Sequence, residues 1–216
     1  MIKATYIDHM GSDLSVVNAA RVSFGKKSSM DEDSIGVWRL KDSDTKLIHY
    51  LAKHNHISPF GHAFASFHVK APIFVARQLV KHKFLRINEV SRRYVTSEPE
   101  FYMPDVWRGR SKDKKQGSEG VVDVDYVEWQ LHGYQLDTYQ ELLEAGVAPE
   151  QARMVLPQST MTEWIWSGSL DAFAGMCRLR CKEDTQYETR LVAQQISEKM
   201  KDLFPVSWRS LVEIDV

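Results

Sequence analysis

The sequence predicts an α+β fold in a single domain, residues 1–216. Two observations predict it. Apolar residues recur at helical spacing through most of the chain, and alternating strand-like runs are few. A hydrophobic content of 43% supplies a core for one domain of this length, and 26% charged residues suit a solvated surface. Ile2 to Ile7 reads as a short strand, and Leu14 to Val22 as a helix with Asp13 as its cap candidate. Ser28 to Asp33 is polar and reads as a loop. Thr45 to Lys53 carries Leu47, Ile48 and Leu51 at helical spacing, with Asp42 and Asp44 as cap candidates. In Phe64 to Val69, Ala65, Phe67 and Val69 alternate with Phe64, Ser66 and His68, the pattern of a half-buried strand.

Pro72 then opens a helix expected to run to about Phe84, since proline is tolerated in a first turn. Arg92 to Thr96 reads as a further strand. Gly109 to Gly120 is charged and glycine-bearing, hence an exposed loop. Val124 to Ala145 is helix-like and meets a C-cap at Gly146. Pro149 to Leu156 and Ser169 to Arg178 follow as helices, the first ended by Pro157. In Gln186 to Phe204, residues Val192, Ile196, Met200 and Leu203 share a helical face, and Pro205 is expected to stop that helix.

Bulk composition excludes several functions. Lys plus Arg is 28 and Asp plus Glu is 29, so the net charge of -1 exerts no global pull on nucleic acid or anionic lipid. Any anion site must be a local cluster. The two cysteines, Cys177 and Cys181, form no disulfide framework and suit a reducing cytoplasm. They lack a second pair with zinc spacing, so no metal site is expected and they read as buried small side chains. Residues 1–13 show no basic segment followed by an apolar run, and no stretch approaches the ~18 apolar residues of a membrane span. The expectation is a cytoplasmic protein with neither membrane nor nucleic-acid partners.

The densest polar stretch is Arg77 to Arg93, RQLVKHKFLRINEVSRR. At helical spacing Ile73, Ala76, Val80 and Phe84 form an apolar arc, with Arg77, Gln78, Lys81 and His82 opposite. Lys83 falls in the apolar arc, so either the helix ends near it or its stem is buried. Arg86, Asn88, Glu89, Ser91, Arg92 and Arg93 follow. Such donors beside one carboxylate and one hydroxyl suit an anion with adjacent polar groups, for example a phosphorylated nucleoside. The same composition also describes a solvated basic helix face followed by a loop.

A resemblance separates these readings. KHKFLRINEVS, Lys81 to Ser91, resembles the signature of the flavin-dependent thymidylate synthases, which is Arg-His-Arg, seven residues, then Ser. His82 and Ser91 occupy matching positions, with seven residues between Lys83 and Ser91. The flanks KAPIFVARQ, NEVSRRY and EFYMP also fit, as do NAARVSF, KHNHISPFGH, ARMVLP and LRCKEDTQYE. These matches keep their order over most of the chain, apart from the 109–120 loop.

The resemblance implies an α+β fold with a small, mainly antiparallel sheet, in a homotetramer whose active sites are shared between subunits. It implies FAD as cofactor, with NADPH and 5,10-methylenetetrahydrofolate as co-substrates, and reductive methylation of dUMP to dTMP. Arg180 matches the arginine that favours ionised N3 of the uracil, where a fixed cation would stabilise developing negative charge. Gln78, Lys81, Glu89, Ser91, Arg92, Arg93 and Arg153 match the dUMP site. His56, Ser58, Lys81, His82, Lys83, Asn88 and Glu89 match the FAD site. Ser91 is thereby a substrate contact, since no general base accompanies it.

Three departures stand out. Both signature arginines are lysines here, Lys81 and Lys83, and lysine lacks the planar fork of arginine. Asp184 replaces a histidine of the C-terminal motif. Ser169 and Asp171 stand where some members have Asn and Arg, and a carboxylate near a pyrophosphate is unfavourable, so Asp171 is expected to point elsewhere. Three other classes compete with the enzyme: a flavin- and nucleotide-binding protein that has lost catalysis, a nucleic-acid binder using the basic run, and a cysteine-nucleophile synthase. Charge balance argues against the second, and the apolar setting of both cysteines against the third.

Overall fold

The computed structural model describes residues 1–113 and 117–213. The chain runs β1 (Lys3–Met10), α1 (Asp13–Arg21), β2 (Asp31–Glu32), β3 (Trp38–Arg39), α2 (Asp42–Lys53), β4 (Phe64–Pro72), α3 (Ile73–Leu79) and β5 (Leu85–Glu89). It continues through β6 (Trp107–Arg110), β7 (Ser118–Val122), α4 (Glu128–Glu144), α5 (Pro149–Ala152), β8 (Met161–Ser169), α6 (Leu170–Arg180), α7 (Tyr187–Leu203) and α8 (Pro205–Val212). The main sheet is antiparallel, in the order β1-β4-β8-β5, while β2 pairs with β3 and β6 with β7. The expected α+β class, helix-rich with a small, mainly antiparallel sheet, is what the chain adopts. Among the described residues, no helix is long and apolar enough to cross a membrane.

One sheet face carries the core. Ala65, Phe67 and Val69 of β4 are fully buried, as are Trp164 and Trp166 of β8. Phe173 of α6 meets Phe67 edge-on at 5.4 Å and Trp166 at 5.6 Å. The alternation read in β4 therefore does face a core. On the other face, the hydroxyls of Ser66 and Ser167 share a hydrogen bond of 2.8 Å, and His68 Nε2 lies 2.9 Å from Glu163. β5 crosses β8 closely at Gly168, which has no side chain. A Cβ there would come within 2.4 Å of Leu85 Cδ2 and 3.1 Å of the Phe84 carbonyl oxygen.

Several expectations need correction. The helix after Pro72 ends at Leu79 rather than Phe84, and its buried residues are Val75, Ala76 and Leu79. Val80 and Phe84, placed on the apolar arc, are 49% and 81% exposed. The pairing of Leu85–Glu89 with β8 pulls the chain out of the helix. Leu85 and Ile87 alternate with polar residues, but so short a run does not separate a strand from a continued helix by pattern. Arg92 to Thr96 is a turn: the amides of Tyr94 and Val95 both donate to the Ser91 carbonyl, at 3.0 and 3.1 Å. The 109–120 stretch contributes to strands β6 and β7, apart from residues 114–116, which lie outside the described residues. Nor does the pattern reveal β8, yet it is one of the two inner strands. Gly146 does end α4, with φ +83°.

Pro205 does not merely stop α7; it opens α8 at a position needing no amide hydrogen. Asp13 is not the cap of α1, whose N-cap is Ser12. Its buried carboxylate instead accepts hydrogen bonds from the amides of Val206 (2.9 Å) and Ser207 (2.8 Å), capping α8. Asp42 and Asp44 likewise lie inside α2, behind the N-cap Lys41. Asp44 is fully buried and accepts from Arg21 and from the Ser28 hydroxyl, tying α1 to α2.

Asp13→Ala leaves the first turn of α8 without its acceptor. We expect a loss of roughly 2 kcal/mol in urea unfolding, with Asp13→Asn, which keeps one acceptor, losing less.

Candidate active site

One cavity, about 820 Å³, is bounded by α3, β6, α4 and the junction of α6 with α7. Three expected nucleotide contacts line it: Gln78 from α3, Lys81 from the turn after it, and Arg180 from the end of α6. Helix α3 follows β4 directly and α6 follows β8 directly, so the β4–β8 pairing sets both helices. Arg180 Nε donates to His82 Nε2 at 3.0 Å, and its Nη2 lies 3.5 Å from the Gln78 carbonyl. Gln78 Nε2 in turn donates to Gln186 Oε1, immediately before α7.

Half-buried His82 has its pKa lowered, first by burial and then by the Arg180 charge. The neutral imidazole is the form whose nitrogen accepts the guanidinium. Burial also lowers the pKa of Arg180, which stays cationic because guanidinium starts so high. His82 thus holds Arg180 by its Nε, and the Gln78 carbonyl holds it by Nη2, at the wall of the cavity.

Opposite Arg180, the hairpin of β6 and β7 is fastened to α7. Arg108 pairs with Glu188, donates to Ser118 Oγ at 3.0 Å, and places its guanidinium 4.2 Å from the centre of the Tyr187 ring. Glu188 is buried and also accepts from the Tyr102 hydroxyl at 3.2 Å. Burial and the Glu188 carboxylate push the Tyr102 phenol well up, which keeps it protonated as a donor. Gln186, Glu188, Tyr102 and Arg108 are site residues that sequence reasoning missed. A signal for Glu188 existed: it lies four residues before Val192, on the apolar face of α7, and a carboxylate there demands a partner.

A second cavity, about 290 Å³, gathers Glu89, Ser91, Arg92 and Arg153. Glu89 accepts from Thr162 Oγ1 at 2.6 Å. Arg92 donates to the Ser97 carbonyl at 2.6 Å, and Arg153 Nε to the Glu150 carbonyl at 3.3 Å. Arg93 is exposed, 4.0 Å from Glu150 and 5.3 Å from the centre of the Tyr94 ring. Between the two cavities a hollow is lined by both Lys81 and Glu89. Lys83 and Asn88 are exposed outside these cavities, Asn88 opposite Ile165 in the sheet. His56 and Ser58 are also exposed, beyond the end of α2, with the His56 ring 6.0 Å from Tyr50. Within one chain, therefore, the expected site residues form two groups with outliers.

Asp171 sits in the first turn of α6, and a Cβ on Gly61 would lie 4.0 Å from its Oδ1. Cys177 is fully buried, and burial pushes its thiol well above its ordinary value, away from the nucleophilic thiolate. Cys181, also expected to be buried, is only half-buried at the end of α6.

Comparison with known proteins adds a second line of evidence. The family described as thymidylate synthase complementing protein matches residues 5–206. A flavin-dependent thymidylate synthase of Thermus thermophilus is 39% identical over 214 residues, covering 96% of this chain and 74% of that protein. The Kosmotoga olearia protein of the same name is 38% identical over 215 residues, covering 95% of this chain and 88% of its own length. The crystal structure of a UMP/dUMP methylase, PolB from Streptomyces cacaoi bound with 5-Br dUMP, aligns with TM-score 0.81 and 31% identity. The alignment covers 99% of this chain and 95% of that one.

Two measurements check the electrostatics. His82 has an ordinary pKa of 6.5 and a lower one when folded. As pH falls through 6.5, the unfolded chain takes up this proton first, so acidification removes stability until folded His82 also protonates. His82→Gln keeps an acceptor without titrating. Thermal unfolding should show wild type losing more stability than this variant between about pH 7 and the acid side of 6.5. Arg108→Met strands a buried carboxylate and should lower stability by about 3 kcal/mol, whereas Arg108→Met with Glu188→Met should recover part of that loss.

Proposed function

The chain belongs to the flavin-dependent thymidylate synthase family, and from that premise we propose that it methylates dUMP to dTMP. In this reading 5,10-methylenetetrahydrofolate donates the carbon and tetrahydrofolate leaves. FAD, when bound and reduced by NADPH, supplies the hydride. One observation carries the proposal: Arg180, about 100 residues on from Gln78 and Lys81, lines a single cavity with them and is held there by neutral His82.

Arg180 would turn its guanidinium toward the pyrimidine and stabilise negative charge as it develops on the ring. Its orientation is set in advance by His82, so little reorganisation accompanies the reaction. Gln78, tethered by Gln186, would read a polar edge of the base. Arg153, Arg93 and Ser91 carry the donors that suit the phosphate. Arg92 is engaged with the Ser97 carbonyl and would stiffen the turn bearing Ser91 and Arg93.

The donor set also fits the flavin dinucleotide. Lys81 and Lys83 are exposed and make no ion pair among the described residues, which leaves both charges available to its phosphates. Asn88 and Glu89 offer an amide and a carboxylate on the adjoining strand, while His56 and Ser58 would close the site from beyond α2. The separation of the nucleotide contacts into two cavities supports a shared site. A homotetramer could set Glu89, Ser91 and Arg153 of one copy beside Gln78 and Arg180 of another. The span 1–216 would act as one domain in that assembly, serving small-molecule substrates.

The visible spectrum of purified protein incubated with FAD tests this, repeated after adding dUMP and then the full substrate set. We expect flavin bands that shift with dUMP, and thymidylate as product. Failure to bind flavin would overturn the reading. Arg180→Lys keeps the charge but loses the Nε donor and the planar fork. Its kcat/KM should fall by about 10²-fold with the fold retained.

A further inference from the structure

Among the described residues, two non-glycine positions have positive φ: Asn55 at 55° and Phe84 at 65°. Asparagine visits this region readily, whereas a bulky aromatic there is strained. Such strain persists only where the surroundings impose it, and it gathers at ligand sites. Here the imposing elements are visible. The His82 amide donates to the Leu79 carbonyl at 3.1 Å, closing the end of α3, and Leu85 already pairs with Gly168. The backbone must pass from helix to strand in between, with the Phe84 carbonyl so placed that a Cβ on Gly168 would lie 3.1 Å from it. Glycine would make this turn without strain.

The phenylalanine side chain serves no core, since Phe84 is 81% exposed. Its setting is apolar on one side and cationic on the other. Met10 pairs with Phe64 and Phe64 with Ser169, so two further exposed apolar side chains cross the same end of the sheet. Lys81 and Lys83 immediately precede it. A planar aromatic surface beside unpaired ammonium groups suits a ligand that is itself planar and anionic. Arginine can offer its flat guanidinium to a ring as well as its charge, and lysine cannot. At the two lysines the charge remains and the plane is lost.

We propose that Phe84 restores that plane, its ring packing against the isoalloxazine of FAD. The proposal rests on the flavin reading above. The isoalloxazine, rather than the adenine, is the partner because hydride must reach a pyrimidine held by Arg180. Phe84 lies two residues from His82, which grips that arginine. Strain at position 84 is then the condition for displaying the ring.

Full-length wild type, Phe84→Tyr, Phe84→Ala and Phe84→Gly are titrated with FAD by fluorescence, and their unfolding temperatures are taken without FAD. Phe84→Tyr should bind as wild type does. Phe84→Ala and Phe84→Gly should bind about tenfold more weakly, with less quenching of the flavin. Only Phe84→Gly should unfold at a higher temperature. If wild type binds FAD and the alanine and glycine variants bind equally well, Phe84 has no such role and the inference fails alone. Unchanged affinity with altered size-exclusion behaviour would assign the ring to a subunit interface, against the proposal. If wild type binds no FAD, the flavin reading falls and this inference with it.

Discussion

Strand β8 is hydrogen-bonded along both edges, to β4 on one side and β5 on the other, with Trp164 and Trp166 buried beneath it. Gln78 and Arg180, which reach the large cavity from segments far apart in the sequence, depend on this pairing. β4 leads without a loop into α3, which carries Gln78, and β8 leads without a loop into α6, which ends at Arg180. Docking β5 against β8 forces the tight turn that holds Lys81 and His82 between them. Gly168 eases that docking, since a Cβ there would crowd the Leu85 side chain and the Phe84 carbonyl.

Polar groups around the cavity are bound to one another before any ligand arrives. His82 orients Arg180, Gln186 tethers Gln78, and Glu188 holds both Arg108 and Tyr102. The start of α7 is the common support, with Gln186 and Glu188 gripping α3 and the hairpin. Arrangements of this kind favour catalysis because donors need not reorganise as charge develops. The net charge of -1 is compatible with an anion site since the cations are gathered locally.

Much of the fold was legible in the sequence. α1, α2 and α7 showed their helical faces, β4 its alternation, and Gly146 its cap. The motif residues of the candidate site were legible too, because their order and spacing resemble a known family. Their grouping was not. Gln78 and Arg180 line one cavity while Glu89, Ser91 and Arg153 line another, and linear order carries no trace of that division. Glu188 stands on the apolar face of α7, four residues before Val192, and only its burial against Arg108 and Tyr102 gives that position its meaning.

By itself, the sequence determined the helical and alternating segments, the balance of charge, and which side chains bear the chemistry. These are properties of neighbouring residues, set by periodicity and side-chain type. Tertiary structure alone decided the strand status of LRINE, the inner place of β8, and the start of α8. Asp13 shows why. It looks like a cap for the helix beginning beside it, yet its carboxylate is taken by amides 193 and 194 residues away. Hydrogen bonds between distant segments depend on how the whole chain packs, and no local pattern records them.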